Sequence, residues 1–259
     1  MRTTEVQGPL QAREIFHLEF LRRLSQKLKT GRYALKGGVN LRLFFSSPRY
    51  SEDIDLDVRD ITVENLGDIV MDILTSSSFR DVCASFGIRT VTPPDLARAK
   101  QTETTQRFKV HLTASGGEDY FTKIEFSRRG MQQGAVVEPV RAEVLRQYRL
   151  PPLLCSHYDA GSAFAQKINA LVHRNAIQAR DIFDMHVLDT QAEIAKDRII
   201  RVEPATLRRA VDNLYSVEFA QFRDTVVEYF AQQDREAFDS AAIWDNIRLS
   251  VAHRIEDLL

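Results

Sequence analysis

LKGGVNLRLFFSSPRYSEDIDLD, residues 35–57, joins a glycine turn to a segment of alternating carboxylates. Tyr33-Ala34-Leu35 reads as a short strand and Gly37-Gly38 as a tight turn. Val39 to Phe45 reads as a helix leaving that turn directly. Pro48 breaks the helix, and Ile54 to Val58 follows as an alternating strand. Glycine tolerates positive φ and lets a ligand approach the main chain. The first amides of the new helix have no internal partner and lie at the positive end of its dipole, which suits phosphate oxygens. A Gly-Gly pair by itself marks only a turn. Asp53 and Asp55, however, flank Ile54, and period-two geometry sets both carboxylates on one face. Such close carboxylates repel unless a cation or donors hold them. Magnesium, which prefers oxygen ligands and substrate phosphates, is the natural cation. An acidic strand edge that resists aggregation is the other reading of the same two residues.

A third acid shifts the balance. In a strand from Tyr120 to Phe126, Glu125 sits between Ile124 and Phe126, with Lys123 on its own face. Strand propensity disfavours an acid there. If that strand lies beside the Asp53–Asp55 strand, three carboxylates converge. Two metals could then bridge an attacking hydroxyl and a leaving pyrophosphate.

Outward from this core, Pro9 to Thr30 has helical apolar spacing through Ile15, Leu18, Leu21, Leu24 and Leu28, and Gly31 stops it. Val63 to Ser77 is a second amphipathic helix. Alternation returns at Gly87–Val91, Arg107–Thr113 and Tyr120–Phe126, with Gly116-Gly117 as the turn between the last two. Pro151-Pro152 marks a candidate boundary. Beyond Tyr158 the apolar stripes at 160–173, 180–189, 205–214, 217–230 and 241–255 are helical. The expected fold class is α+β: a mixed-sheet lobe with an N-terminal helix over residues 1–152, then a helical lobe over 153–259.

The motif set resembles the AbiEii/AbiGii toxin family, which includes the mycobacterial MenT toxins. It comprises GGxxLR at Gly37–Arg42, RxSxDIDLD at Arg49–Asp57, KIEF at Lys123–Phe126, then Lys167 and Arg180-Asp181-Ile182-Phe183-Asp184. The resemblance runs from about Leu35 to Leu188 and implies a DNA polymerase β-like nucleotidyltransferase fold. It implies that Gly37, Gly38 and neighbouring amides hold the triphosphate of an NTP, with Arg49, Ser51, Lys167 and Arg180 as further nucleotide contacts. Asp53, Asp55 and Glu125 would hold Mg2+ or Mn2+. Asp181 or Asp184 would complete the catalytic set, with Arg180 able to neutralise either. Family members often carry Ser or Thr at or after the second glycine; here Val39 and Asn40 follow, which leaves the phosphate contact there to backbone amides. Lys167 and Arg174, seven apart, share a helix face, and without the resemblance they read as two exposed cations.

Composition bounds the rest. The chain has 259 residues, 44% apolar and 27% charged, with a net charge of −1. That is long enough for one large domain or two lobes and ordinary for a globular protein. No apolar run reaches the roughly 18–20 residues of a membrane span, and MRTTEVQGPLQAREIF lacks the apolar core of a secretory signal. Cys83 and Cys155 have no metal-ligand spacing and read as buried thiols. A cytoplasmic location is expected. Basic residues gather at Arg22–Arg32, at Arg98, Lys100, Arg107 and Lys109, and at Arg128-Arg129, which leaves room for a local nucleic-acid surface. His111, His157, His173 and His186 show no ligand spacing, and no GxSxG elbow supports a hydrolase.

Three function classes follow. The first is the toxin enzyme of a toxin–antitoxin or phage-defence pair, moving an NMP from an NTP to RNA such as the tRNA acceptor end and controlled by a cognate antitoxin. The second is a small-molecule, antibiotic-type nucleotidyltransferase. The third is a non-catalytic nucleotide-binding module, against which the intact Asp53, Asp55 and Glu125 speak.

Overall fold

The computed structural model describes residues 8–190 and 202–259; residues 1–7, the start of the segment read above for a secretory signal, lie outside them. The chain divides into two compact units, residues 1–44 with 51–158, and residues 45–50 with 159–259.

The first unit is built on a seven-stranded mixed sheet. Its elements are α1 (Pro9–Lys27), β1 (Tyr33–Lys36), α2 (Gly37–Phe44), β2 (Ile54–Val58), α3 (Val63–Thr75), α4 (Ser77–Ser85), β3 (Ile88–Thr92), β4 (Thr105–Ala114), β5 (Asp119–Ser127), β6 (Ala135–Pro139), α5 (Ala142–Gln147) and β7 (Leu154–Tyr158). The strand order is β3-β4-β5-β2-β1-β7-β6. β2 runs antiparallel to β1 and parallel to β5, and β7 runs parallel to β1. This is the α+β class with a mixed sheet that the strand and helix periods predicted. Ile54 and Leu56 of β2, Phe108, Val110 and Leu112 of β4, and Ile124 and Phe126 of β5 are fully buried. They form one core with Ile15, Phe16 and Leu24 of α1, Val70 and Leu74 of α3, and Phe79 of α4. The alternate residues of these strands are left for chemistry on the opposite face.

Several boundaries differ from expectation for local reasons. The expected helix 63–77 ends at Thr75, because Ser76 turns extended (ψ 130°) and its hydroxyl meets Ser78 Oγ at 2.9 Å. Serine competes with the helix ladder through such local bonds. A second helix, α4, restarts at once. Past Pro151-Pro152 the sheet gains β7, almost wholly buried, before the first unit closes at Tyr158. β6, by contrast, is nearly all exposed, so neither strand shows half-buried alternation. Asp159 caps the next helix, accepting from the Ser162 amide at 2.8 Å.

The second unit is helical: α6 (Ala160–His173), α7 (Ala179–Asp189), α8 (Pro204–Tyr215), α9 (Phe219–Thr225), α10 (Gln232–Arg235) and α11 (Ala241–Glu256). The stripe at 217–230 is split: α9 stops at Thr225 and a 3-10 turn covers Val227–Tyr229. The β-branched run Thr225-Val226-Val227 restricts the helix at that point. Its core is aromatic. Phe222 stacks on Trp244 at 4.4 Å, Phe183 packs on Phe222 and Phe230, and Trp244 Nε1 donates to the Val217 carbonyl at 3.1 Å. The Tyr50 amide donates to the Tyr229 carbonyl at 2.8 Å, which ties the 45–50 segment into this unit.

Candidate active site

In the first unit the DIDLD segment lies in the middle of the sheet. Asp55 pairs with Glu125 across the parallel β2–β5 ladder and with Lys36 across the antiparallel β1–β2 ladder. The strand pairing that three converging carboxylates required is therefore present. Ser51 Oγ donates to the Asp53 carbonyl at 2.8 Å, shaping the entry to β2. Lys123 Nζ stands 2.9 Å from Asp53 Oδ2 and 3.7 Å from Glu125 Oε2. Arg107 Nε donates to Glu125 Oε2 at 2.7 Å. Burial raises the proton affinity of Asp55; Glu125 and Asp53 add to the rise, while Lys123 and Lys36 oppose it. A carboxylate so placed gains from a cation.

Gly37 opens α2 with φ +71°, and a Cβ built there would lie 2.9 Å from Asp55 Oδ2. The glycine is thus demanded twice, by the left-handed backbone and by the carboxylate packed against it. The two positions after Gly38 point inward. Val39 is buried in the core, and Asn40 Nδ2 donates to the Tyr158 carbonyl at 2.9 Å. Asn40 Oδ1 lies 2.9 Å from His157 Nδ1, and the His157 ring stacks on Phe44 at 3.5 Å. The departure from a hydroxyl after the glycines is therefore a packing choice. Asn40 latches α2 to β7.

Asp57, on the same face as Asp53 and Asp55, has a different fate. It is buried between Lys36 Nζ at 2.5 Å and the Tyr158 hydroxyl, which donates to Oδ2 at 2.7 Å. Lys36 is the last residue of β1 and was findable by its place before Gly37. Tyr158 carried no signal, since about 100 residues separate it from its partner along the chain.

The remaining candidates lie in the second unit and form a buried ion cluster. Asp181 and Asp184, three apart on α7, are fully buried. Lys167 Nζ lies 3.0 Å from Asp181 Oδ1 and 2.5 Å from Asp184 Oδ2. Arg49 forks onto Asp184 at 3.0 and 3.1 Å through Nη2. Arg174 Nη1 lies 3.0 Å from Asp181 Oδ2 without hydrogen-bond alignment, so that oxygen has charge compensation but no donor. Burial alone would raise the Asp184 pKa; Arg49 and Lys167 outweigh it and hold the carboxyl below the ordinary range. The cations that face the two aspartates are thus Lys167, Arg49 and Arg174, whereas Arg180 stands exposed at the start of α7. Lys167 is buried against both aspartates, whereas Arg174, the extended residue just past α6, reaches Asp181 from an exposed position.

These motifs extend to the chain as a whole. The family model for the nucleotidyl transferase AbiEii toxin of type IV toxin–antitoxin systems matches residues 19–257. The chain belongs to the AbiEii nucleotidyl transferase toxin family. Among solved structures it is similar to MenT4, a nucleotidyltransferase toxin from Mycobacterium tuberculosis, with TM-score 0.60 and 16% identity over 97% of this chain and 85% of that one. It is also similar to JHP933 from Helicobacter pylori, with TM-score 0.55 and 18% identity over 98% and 96% of the two chains. At these identities the likeness is one of fold. No curated protein matches the sequence significantly. No described helix is long and apolar enough to cross a membrane.

Proposed function

We propose that this AbiEii toxin transfers an NMP from an NTP to RNA, such as the acceptor end of tRNA, in a reaction that depends on Mg2+ or Mn2+. The observation that carries the reading is the alignment of Asp55 with Glu125 across β2 and β5, with Gly37 packed against the Asp55 carboxylate. The donor set suits a hard cation. It is all carboxylate oxygen, and the ammonium of Lys123 already reaches toward two of its members. Among the described residues no group of three or more acids, histidines or cysteines stands close enough to hold a metal ion; Lys123 and Arg107 are the cations that contact Asp53 and Glu125. Asp53, Asp55 and Glu125 would hold the ion. When bound, it supplies charge neutralisation for the attacking and leaving oxygens.

The chain's own groups do the rest. The turn at Gly37-Gly38 presents main-chain amides without a side chain in the way, which fits a triphosphate. Arg107 holds the Glu125 carboxylate in place beside Asp55. Ser51 keeps the Asp53 backbone in place. Lys167, Asp181 and Asp184 remain in the proposal in the roles the resemblance implies. The same Lys167 ammonium balances both aspartates, so its removal reads out on the fold as well as on triphosphate KM. A cognate antitoxin and a cytoplasmic setting belong to the same reading. The test is incubation of the protein with labelled NTPs, magnesium and total RNA. Labelled RNA that disappears with Asp55→Asn is expected; no labelled RNA with any of the four NTPs would overturn it. Label on an aminoglycoside-type small molecule instead would favour the antibiotic-modifying alternative.

A further inference from the structure

The sheet face that carries Asp55 and Glu125 continues away from them along β4 and β5. Arg107, Lys109 and His111 of β4 stand opposite Glu125, Lys123 and Phe121 of β5. Their even-numbered neighbours Phe108, Val110, Thr122 and Ile124 are buried in the core.

Two features of this face serve no packing purpose. Phe121 is 63% exposed in the middle of a paired strand. Its ring stacks on His111, with centroids 4.7 Å apart and planes 10° from parallel. His111 Nε2 in turn stands 2.8 Å from Asp119 Oδ1, out of hydrogen-bond alignment but close enough to steady the ring. The second feature is charge. Lys109 lies directly across from Lys123; Lys123 is turned to Asp53 and Glu125, whereas Lys109 is exposed and turned to the groove. Lys109 also lines a groove of about 410 Å³ with Arg98, Lys100 and Arg107, in which Asp95 is the one acid. Asp95 meets Arg98 at 3.5 Å with both side chains largely in solvent, so the pair is weakly held.

An exposed aromatic platform beside a cationic groove is the chemistry that grips a single strand of nucleic acid. Bases stack on the ring and phosphodiesters lie along the cations. An acidic protein surface would engage the cations without the ring, and a ring that enters a lipid surface would not need to be held against His111. Four residues separate Phe121 from Glu125 on one strand, roughly 13 Å, so one oligonucleotide can touch both. We infer that this face is the acceptor track: a single-stranded RNA segment with a base on the Phe121–His111 stack and its backbone against Arg98, Lys100 and Lys109. It rests on the proposed function only for what happens at the carboxylates. Binding to the track stands without it.

The test is fluorescence anisotropy of the full chain with a labelled single-stranded RNA of about 12 nucleotides, without NTP, across a salt series. Phe121→Ala is expected to weaken binding about tenfold and Phe121→Trp to restore it. The combined Arg98→Ala, Lys100→Ala, Lys109→Ala variant is expected to flatten the log–log salt slope by about 2. Unchanged thermal midpoints establish that all three variants are folded. No binding by the unmodified protein, equal binding by all variants, or preference for duplex RNA that ignores Phe121 would each overturn the track. The two readings fail separately. RNA binding that follows Phe121 without any labelled RNA sinks the proposed reaction and leaves the track. Labelled RNA with unchanged RNA KM in Phe121→Ala sinks the track and leaves the reaction.

Discussion

Gly37→Ala separates the cost of a strained backbone from the cost of a displaced carboxylate. The residue sits at φ +71°, where an L-residue loses roughly 1–2 kcal/mol relative to its preferred conformations. For a chain of this size that corresponds to a fall in thermal midpoint of about 2–8 °C. The new Cβ meets Asp55 Oδ2 at 2.9 Å, whereas ordinary contact begins near 3.4 Å. The collision is with the end of a side chain, so it is relieved by moving the carboxylate about half an ångström, at little cost to stability. That same movement matters to chemistry, because catalytic groups tolerate only about 0.5 Å of displacement and 1 Å costs on the order of 100-fold. Transfer activity is therefore expected to fall about 10- to 100-fold. Gly31→Ala is the control. Its φ is +87°, and its Cβ would meet only the Arg59 Nη2 atom at 4.0 Å. It carries a similar backbone penalty and leaves Asp55 untouched. Denaturation midpoints and label transfer, measured on both variants, decide the matter. Near-normal transfer by Gly37→Ala, or an equal activity loss in Gly31→Ala, would refute the coupling of this turn to Asp55.

Asp53→Asn and Asp55→Asn are each expected to lower label transfer by more than about 100-fold, since a direct ligand matters more than its outer-shell support. In chelator, Asp55→Asn is also expected to raise the thermal midpoint, because it removes a half-buried charge beside Glu125 and Asp53; a lower midpoint would contradict that crowding. Lys167→Ala removes the cation shared by Asp181 and Asp184 but leaves Arg174 and Arg49 on them, and is expected to cost about 1.5–3 kcal/mol in urea denaturation; a loss confined to triphosphate KM would show that the ion cluster is dispensable. His17 is buried, with Nε2 2.8 Å from Thr122 Oγ1, and burial, aided by Arg13, pushes its pKa down from 6.5 to about 3. The unfolded chain then binds the extra proton first, so stability is whole above pH 6.5 and declines as pH falls toward about 3. The expected slope is at most about 1.4 kcal/mol per pH unit. His17→Gln is expected to flatten it, and an unchanged urea-midpoint profile would sink the assignment.

Much of this was written locally. Ile54–Val58 and Ala160–His173 begin and end where their periods do, because alternation and an apolar stripe are properties of a few neighbouring residues. Gly37 and the three carboxylates were legible for the same reason, as residue types unsuited to a bland strand and turn. What could not be read is what depends on remote partners. β7 is buried by its neighbours rather than by its pattern, and the burial of Lys167 and Arg49 follows from Asp181 and Asp184 lying on α7.

The position of β7 also bears on how the protein is made. It is the last strand of the first unit to leave the ribosome, yet it lies between β1 and β6. β6 has no other ladder partner, and both Asp57 and Asn40 wait for Tyr158. At about 5–20 residues per second, synthesis from Asp53 to Tyr158 takes on the order of 5–20 s. During that interval the nascent chain holds the Asp53–Asp55 segment without the finished sheet around it. A chain assembled in this order closes its sheet only when Tyr158 has emerged, with the helical unit still to be made.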